Sequence, residues 1–513
     1  MKLIKKNMVA NFAGNMWQTL IGLIFIPLYI KFLGMESWGL IGIFAAIQSM
    51  SGILDLGMSN TLNREMARLS ALQDREQEMR NLVRTLEVIY WSVAVFAGIT
   101  VALLSPVIAH HWVKAEQLSS TTVAQALLMM GLAIALQMPI GFYSGGLMGL
   151  QRQVLLNAIT IVISTLRSAG AVLILLLVSP TIQAYFLWQI VVNIINAFLL
   201  AMFLKRRLSF GDNNAVFQKQ LLDGIWKFAT GMSGIAILGV ILTQMDKVIL
   251  SKMLPLKMFG YYTLAWTVAT SLGGLFTAVF SSIYPRLTQL VSINDQDELK
   301  RLYHESCQFM SVLILPAAIV IALFSKELLL LWTQNPTTTE NTHLLVSILV
   351  CGTAINGVMN LPYALQLAFG WTRLSVFKNI IAVIILVPLI IYMTKHYGVT
   401  GAASVWVMLH TGLFFFEIPV MHHRLLRKEM WRWYLQDVCL PLAVCIFVAG
   451  IGLIFISVPT SQFMMLLYLM IVSALTLGTT TIITPVTRTW LFMQLSKIKF
   501  IRNGRAFIPK TRA

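Results

Sequence analysis

The sequence predicts an all-α polytopic membrane protein: about fourteen transmembrane helices in two pseudo-symmetric six-helix lobes, with two extra C-terminal helices. Three observations predict it. Of 513 residues, 58% are hydrophobic and only 11% are charged, against about 25% charged in soluble globular chains. Apolar runs of about eighteen residues or more recur from end to end, each long enough for a hydrocarbon core of roughly 30 Å. The basic residues gather in alternate connections, as the positive-inside rule requires.

The runs fall at 8–33, 38–62, 84–108, 122–147, 154–178, 182–204, 225–252, 259–283, 306–332, 342–368, 374–394, 399–421, 437–457 and 461–484. Twelve spans is the alternative count. With the N-terminus placed in the cytoplasm, 30 Lys and Arg lie inside. Six lie outside (Lys31, Lys114, Lys252, Lys257, Lys326, Lys395) and two, Arg167 and Lys247, lie within runs. That asymmetry puts both termini in the cytoplasm. The N-terminal MKLIKK followed by an apolar run mimics a secretion signal. The run is too long and lacks a small-residue cleavage site, so it reads as an uncleaved first span.

The net charge of +18 fits anionic headgroups. Nucleic acid is a poor partner, because no basic and aromatic surface lies outside the membrane runs. The four cysteines include no Cys-x-x-Cys pair, so neither a disulfide frame nor a zinc site is indicated. No phosphate-binding Gly-rich loop is present, so the chain does not itself consume ATP. The longest internal loops are expected at 63–83, 205–224, 284–305 and 422–436, all polar or basic. None is long enough to fold as a domain.

An internal repeat organises the runs. Lys31, Gly34 and Gly39 are matched, at one constant offset in residue number, by Lys252, Pro255 and Gly260, each set lying between two apolar runs. SPVIAHHW at 105–112 returns as SKELLLLW at 325–332, and GLQRQVLLN at 149–157 as GWTRLSVFKN at 370–379. The offset that links the first set also carries Tyr185, Gln189 and Asn196 onto Trp406, His410 and Glu417. Spans 1–6 therefore map onto spans 7–12. The expected organisation is an N-terminal lobe at 1–204, a cytoplasmic linker at 205–224, a C-terminal lobe at 225–421, two additional spans at 437–484 and a basic tail at 485–513. Six spans per copy give both copies one orientation, so the expected symmetry axis runs along the membrane normal with a cavity between the lobes.

Residues three or four apart share a helix face. Span 1 carries Asn7, Asn11, Asn15, Gln18 and Gly22 on one face, and span 5 carries Asn157, Thr160, Ser164 and Arg167. Span 2 carries Gln48, Ser51, Asp55, Ser59 and Asn63. Such stripes serve either as interhelical hydrogen-bond glue or as a cavity lining. Charges at membrane depth are costly and usually face a cavity or a partner. The candidate substrate-binding set is therefore Arg167 and Lys247 within spans, Arg64 and Arg286 at the cytoplasmic ends of spans 2 and 8, and the amides Asn11, Asn15 and Gln189. The candidate coupling or charge-pair set is Asp55, Asp246, His410 and Glu417. Gly141, Gly145 and Gly149, at spacing four, predict close packing of span 4. No metal or cofactor is called for.

Three segments carry a family resemblance: IPLYIKFLGMESWGL at 26–40, ILDLGMSNTLNREMA at 53–67, and QMDKVILSKMLPLKMFGYYTLAW at 244–266. They resemble the polysaccharide (O-antigen and capsule repeat-unit) flippases of the multidrug/oligosaccharidyl-lipid/polysaccharide exporter superfamily. The resemblance implies a transporter and not an enzyme. Its cargo would be an oligosaccharide on polyprenyl pyrophosphate, moved from the cytoplasmic to the outer face of a bacterial inner membrane by a V-shaped, two-lobed body with alternating access. It also implies a polysaccharide polymerase and a chain-length regulator as partners. Two rivals remain: a drug or cation antiporter of the same superfamily, which needs an acidic cavity, and a membrane glycan polymerase or transferase, which needs sizeable outer loops.

Overall fold

The computed structural model describes residues 2–53, 55, 57–72, 75–208, 214–455 and 461–489, and their side chains except at 2–6, 8–9, 221–236 and 455. The chain begins with α1 (Lys2–Ile24), α2 (Ile26–Ser51), α3 (Met58–Leu69), α4 (Glu76–His111), α5 (Ser120–Gly149), α6 (Gln153–Leu177) and α7 (Ile182–Arg207). It continues through α8 (Gln220–Met253), α9 (Leu256–Ser271), α10 (Gly273–Ser292), α11 (Gln296–Leu323), α12 (Ser325–Thr333), α13 (Pro336–Val358), α14 (Asn360–Ala368) and α15 (Thr372–Leu425). It closes with α16 (Met430–Arg432), a π-helical stretch Trp433–Cys439, α17 (Leu440–Phe455) and α18 (Gln462–Ile483).

Among the described residues, eleven helical segments are long and apolar enough to cross a membrane. One of them, the 54-residue α15, is interrupted at Gly398 (φ 60°, ψ −144°). Likewise α2 breaks at Gly34 (φ 79°, ψ 169°), inside the turn expected between the first two apolar runs. A positive φ costs glycine nothing and costs other residues about a kcal/mol or more. Side chains such as Phe96, Leu103 and Leu177 are more than 70% exposed within these helices. Lipid is the solvent that accepts such a surface.

Two sequence expectations need correcting. The second apolar run, 38–62, is not one helix, because α2 ends at Ser51 and α3 starts at Met58 after Gly57 turns left-handed (φ 72°). Three of the four expected long internal loops, 63–83, 284–305 and 422–436, are mostly helix: α10 reaches Ser292 and α11 starts at Gln296, while α15 reaches Leu425 and α16 starts at Met430. Hydropathy falls where a helix leaves the membrane, but the helix itself persists. Pairs at (i, i+3) such as Glu65–Arg68 and Glu298–Arg301, both 2.7 Å, support it there. Parts of the expected linker (209–213) and tail (490–513) lie outside the described residues.

The chain divides into two compact units, Met1–Thr263 with Asn379–Ala402, and Leu264–Lys378 with Ala403–Ala513. In the first, a cluster built on Leu62, Met66, Leu86, Phe142, Leu147 and Leu204 is fully buried. The small-residue face of α5 lets α3 approach it. A Cβ on Gly145 or Gly149 would stand 2.5 Å from the carbonyl oxygen of Ser59 or Asn63, respectively. The connection between α4 and α5 is tied down by Glu36, only 3% exposed. Its two oxygens accept the backbone N–H groups of Glu116, Gln117 and Leu118 at 2.9–3.1 Å. Nearby, α2 crosses the 253–263 segment through paired glycines: a Cβ on Gly39 would lie 2.5 Å from Leu256 O, and one on Gly260 would lie 2.5 Å from Met35 O.

In the second unit, α17 and α18 pack on α11 and α12 through Val320, Phe324, Ala449, Met465, Tyr468 and Val472. Tyr468 also donates to the carbonyl of Gly452 at 2.8 Å. Burial of this apolar strip seats α17 and α18 on α11 and α12.

Candidate functional site

A cavity of about 590 Å³ opens within the first unit, between α1, α5, α6 and α7. That volume falls within the usual range for ligand pockets, roughly 300–1,000 Å³. Its polar lining is the stripe of α1 (Asn11, Asn15, Gln18), the stripe of α6 (Asn157, Thr160, Ser164, Arg167, Ser168), Gln137 of α5 and Asn196 of α7. Helical spacing alone accounts for this convergence, since each set recurs every three or four residues. The two stripes meet where Asn157 Nδ2 donates to Asn11 Oδ1 at 2.5 Å. Higher up the same pair of helices, Trp17 Nε1 donates to Thr165 Oγ1 at 2.9 Å.

Among the described residues, Arg167 is the one cation in this lining. Its Nη2 donates to Asn193 Oδ1 at 2.8 Å, and Asn193 Nδ2 donates in turn to the carbonyl of Ala133 at 2.8 Å. That chain of bonds fixes which way the Asn193 amide faces and so aims the guanidinium. Arg167 Nε is buried without a hydrogen-bond partner, an incomplete arrangement in a group that carries five donors. Among the described residues, no carboxylate lines the cavity. The wall therefore offers neutral amides, hydroxyls and a single fixed guanidinium, a set suited to sugar hydroxyls and a phosphate-type anion.

The other candidates occupy different places. Lys247 is buried, and its ammonium contacts both oxygens of Asp246 (3.0 and 3.1 Å) and the Thr243 carbonyl (2.8 Å). Tyr262 donates to the same carboxylate at 2.7 Å. This triad is separate from the cavity lining. Gln189 is buried on α7 away from that lining. Asp55 sits in the break before α3, where it accepts from Tyr90 and, at 2.5 Å, from Ser59 Oγ. Arg64 and Arg286 are exposed, the first 4.0 Å from Glu65 and the second bonded to Gln289 at 3.2 Å.

In the second unit, His410 is buried against Trp406 (ring centroids 4.1 Å) and donates from Nδ1 to its carbonyl at 3.0 Å. Glu417, 2% exposed, accepts from Lys378 Nζ at 2.6 Å and Gln366 Nε2 at 2.8 Å. Lys378 also lies 5.2 Å from the Tyr363 ring centre. Sequence reasoning missed Lys378, because it sits near the start of its apolar run, where a cytoplasmic lysine is commonplace. The repeat carried the signal. Its constant offset matches Lys378 and Glu417, in residue number, to Asn157 and Asn196, two of the amides that line the first unit's cavity.

Comparison with known proteins decides the family. The model for the family described as "Polysaccharide biosynthesis protein" matches residues 4–291, more than half of the chain. The chain belongs to this family. The MatE family model also matches residues 232–393. A Shigella flexneri protein assigned as an O-antigen transporter is 23% identical over 403 residues, covering 79% of this chain and 94% of that one. Among solved structures, the lipid II flippase MurJ in an inward closed conformation superposes with a TM-score of 0.65 at 11% identity, over 93% of this chain and 98% of that one. An inward-facing multidrug resistance MATE transporter of the MOP superfamily gives 0.64 at 13% identity, over 81% of this chain and 96% of that one. At such identities the structures share the fold. The family member described here is thus an all-α, multi-pass membrane protein that shares its fold with these transporters.

Proposed function

We infer that the protein is a flippase for lipid-linked oligosaccharides, working by alternating access in the synthesis of O-antigen or another surface polysaccharide. One observation carries the reading: among the described residues, the cavity of the first unit is walled by amides and hydroxyls around a single guanidinium, with no carboxylate. A pyrophosphate-linked oligosaccharide presents that chemistry in reverse. Arg167, held by Asn193, would take the pyrophosphate, and Asn11, Asn15 and Asn157 would exchange water for sugar hydroxyls. The polyprenyl tail would stay in the bilayer, where its burial costs nothing. Arg64 and Arg286, both exposed, would attract the anionic headgroup before entry. The antiporter reading draws on the MatE match but needs an acidic cavity, and the described residues of this one include no acid.

The finer points belong to the same proposal. Fourteen crossings result when the breaks at Gly34 and Gly398 count as turns and α1 and α8 count as spans. The basic excess in alternate connections puts both termini in the cytoplasm of a bacterial inner membrane. The Lys378–Glu417 pair is then the second lobe's counterpart to the amides of the first, and a polymerase and a chain-length regulator would receive the product. The test is deletion of the gene with analysis of lipid-linked intermediates. Accumulation of complete oligosaccharide units on the cytoplasmic side supports flipping. Incomplete units would point to a transferase, and loss of dye efflux alone to an antiporter.

A further inference from the structure

The second unit buries an acid–base cluster that transport of a neutral or anionic cargo does not require. His304 of α11 is 1% exposed and Asp437 of the π-helical stretch is fully buried. His304 Nδ1 lies 2.5 Å from Asp437 Oδ2, and Nε2 lies 3.1 Å from Glu429 Oε2. A neutral imidazole has one N–H and one lone pair, while an ionised carboxylate only accepts. The three groups satisfy both contacts only with one proton more than a neutral ring and two carboxylates possess.

The surroundings say which group holds it. Asp437 Oδ1 already accepts from Gln308 Nε2 at 2.9 Å, and Gln308 Oε1 accepts the N–H of Val486 at 3.3 Å, which fixes that amide. Glu429 also faces Arg432 at 3.7 Å and Lys300 at 4.0 Å. Imidazole is a stronger base than either acid. Tyr303 meets the ring edge-on, and its hydroxyl goes elsewhere, to His422 Nε2 at 3.2 Å. Cys307, also buried, is a weak partner on the same helix face. His422 supplies the contrast. Its Nδ1 donates to the carbonyl of Ile418 at 3.0 Å and its Nε2 accepts from Tyr303, so the neutral ring is fully satisfied. His304 is matched to the cation instead.

We propose that His304, clasped between Asp437 and Glu429, is a proton-binding site, and that its imidazolium docks the helical run Met430–Phe455 against α11. The π-helical stretch supports this, because its widened turn carries Asp437 and such turns recur at functional sites. Any movement that separates Asp437 from α11 must release the proton or strand a buried charge. The site depends on no particular cargo, so it stands or falls apart from the flippase reading.

The test uses the full-length protein in lipid nanodiscs with ¹⁵N-histidine. At neutral pH both His304 nitrogens, assigned by their loss in His304→Gln, should resonate as protonated. One protonated and one bare nitrogen overturns the proposal. Should His304→Gln fail to accumulate, the assignment comes from the shift of the same signals in Glu429→Gln. Thermal melts give an independent reading. His304→Gln strands the Asp437 carboxylate and should lower the Tm by several degrees, and His304→Gln with Asp437→Asn should recover most of that loss. Additive losses in the double variant overturn the proposal as well.

Discussion

Gly42 and Thr263 occupy equivalent positions of the internal repeat, and they touch one another: a Cβ on Gly42 would lie 2.5 Å from Thr263 Cγ2. If a two-fold relates the two copies, a position that contacts its own repeat-mate lies on its axis. The flanking contacts obey the same axis. Gly39 meets Leu256 and Gly260 meets Met35, and these four residues form two pairs related by the same offset. Such reciprocal contact is the mark of an isologous interface, here made within one chain. Both glycines meet backbone oxygens, which cannot rotate away as a side chain can. Gly39→Ala and Gly260→Ala should each destabilise the protein by about 1–3 kcal/mol, and by similar amounts. Thermal melts in detergent check this, and a loss confined to one of the two variants would contradict the two-fold relationship.

Arg167 and Lys247 are two membrane-depth cations with different employment, and mutation should separate them. Arg167→Ala removes the one cation among the described residues of a polar cavity without emptying a packed core. It should leave protein levels unchanged and cut surface polysaccharide by about tenfold or more, the equivalent of one or two charge-assisted hydrogen bonds. Arg167→Lys, without the planar fork, should restore only part of the activity. Lys247→Ala breaks a buried pair with Asp246, a loss of about 3–5 kcal/mol, so its effect should appear first as reduced protein. Immunoblots beside polysaccharide gels distinguish the two outcomes.

Glu417 offers a sharper test of the second unit. It is 2% exposed, bonded to Lys378 and Gln366 through one oxygen, and its other oxygen, Oε2, is buried without a partner. Glu417→Gln keeps the shape but leaves the Lys378 ammonium unpaired, which should cost about 3–5 kcal/mol. Combining it with Lys378→Met should restore most of the melting temperature. If transport then remains lost in a stable double variant, the pair serves the cycle and not just the fold.

Much of this was legible in sequence, for identifiable reasons. The polar stripes were readable because Asn11, Asn15, Asn157, Thr160, Ser164 and Arg167 repeat at helical spacing, and such a face has to meet a partner or water, but spacing alone left glue and cavity lining both open. The constant offset of the repeat pointed to Gly39 and Gly260 for a related reason, since a close crossing admits no Cβ. Other features left no local trace. Asp246 and Lys247 are adjacent and leave the helix about 100° apart, so only the reach of the lysine reveals that they pair with each other. His304 and Asp437 lie 133 residues apart, and the π-helical turn that brings the acid inward has no pattern of its own. Helix ends beyond the membrane escaped because hydropathy reports the lipid boundary and not the hydrogen bonds that continue past it.

Glu36 shows how a motif residue can be structural. It lies in IPLYIKFLGMESWGL, and its carboxylate gathers three consecutive N–H groups of the connection between α4 and α5. Those donors have no helix to join, because α5 begins only at Ser120 with Ser119 as its N-cap. An amide at this position offers one acceptor oxygen and places an NH₂ against the remaining donors. Glu36→Gln should therefore lose more than a typical neutral hydrogen bond, about 1.5–3 kcal/mol. Glu36→Asp, one methylene shorter, should lose part of that. Hydrogen exchange localises the effect: faster exchange at 116–118 with Arg167 and its surroundings unchanged is expected. Unchanged protection at those amides would show that the carboxylate does not hold the connection.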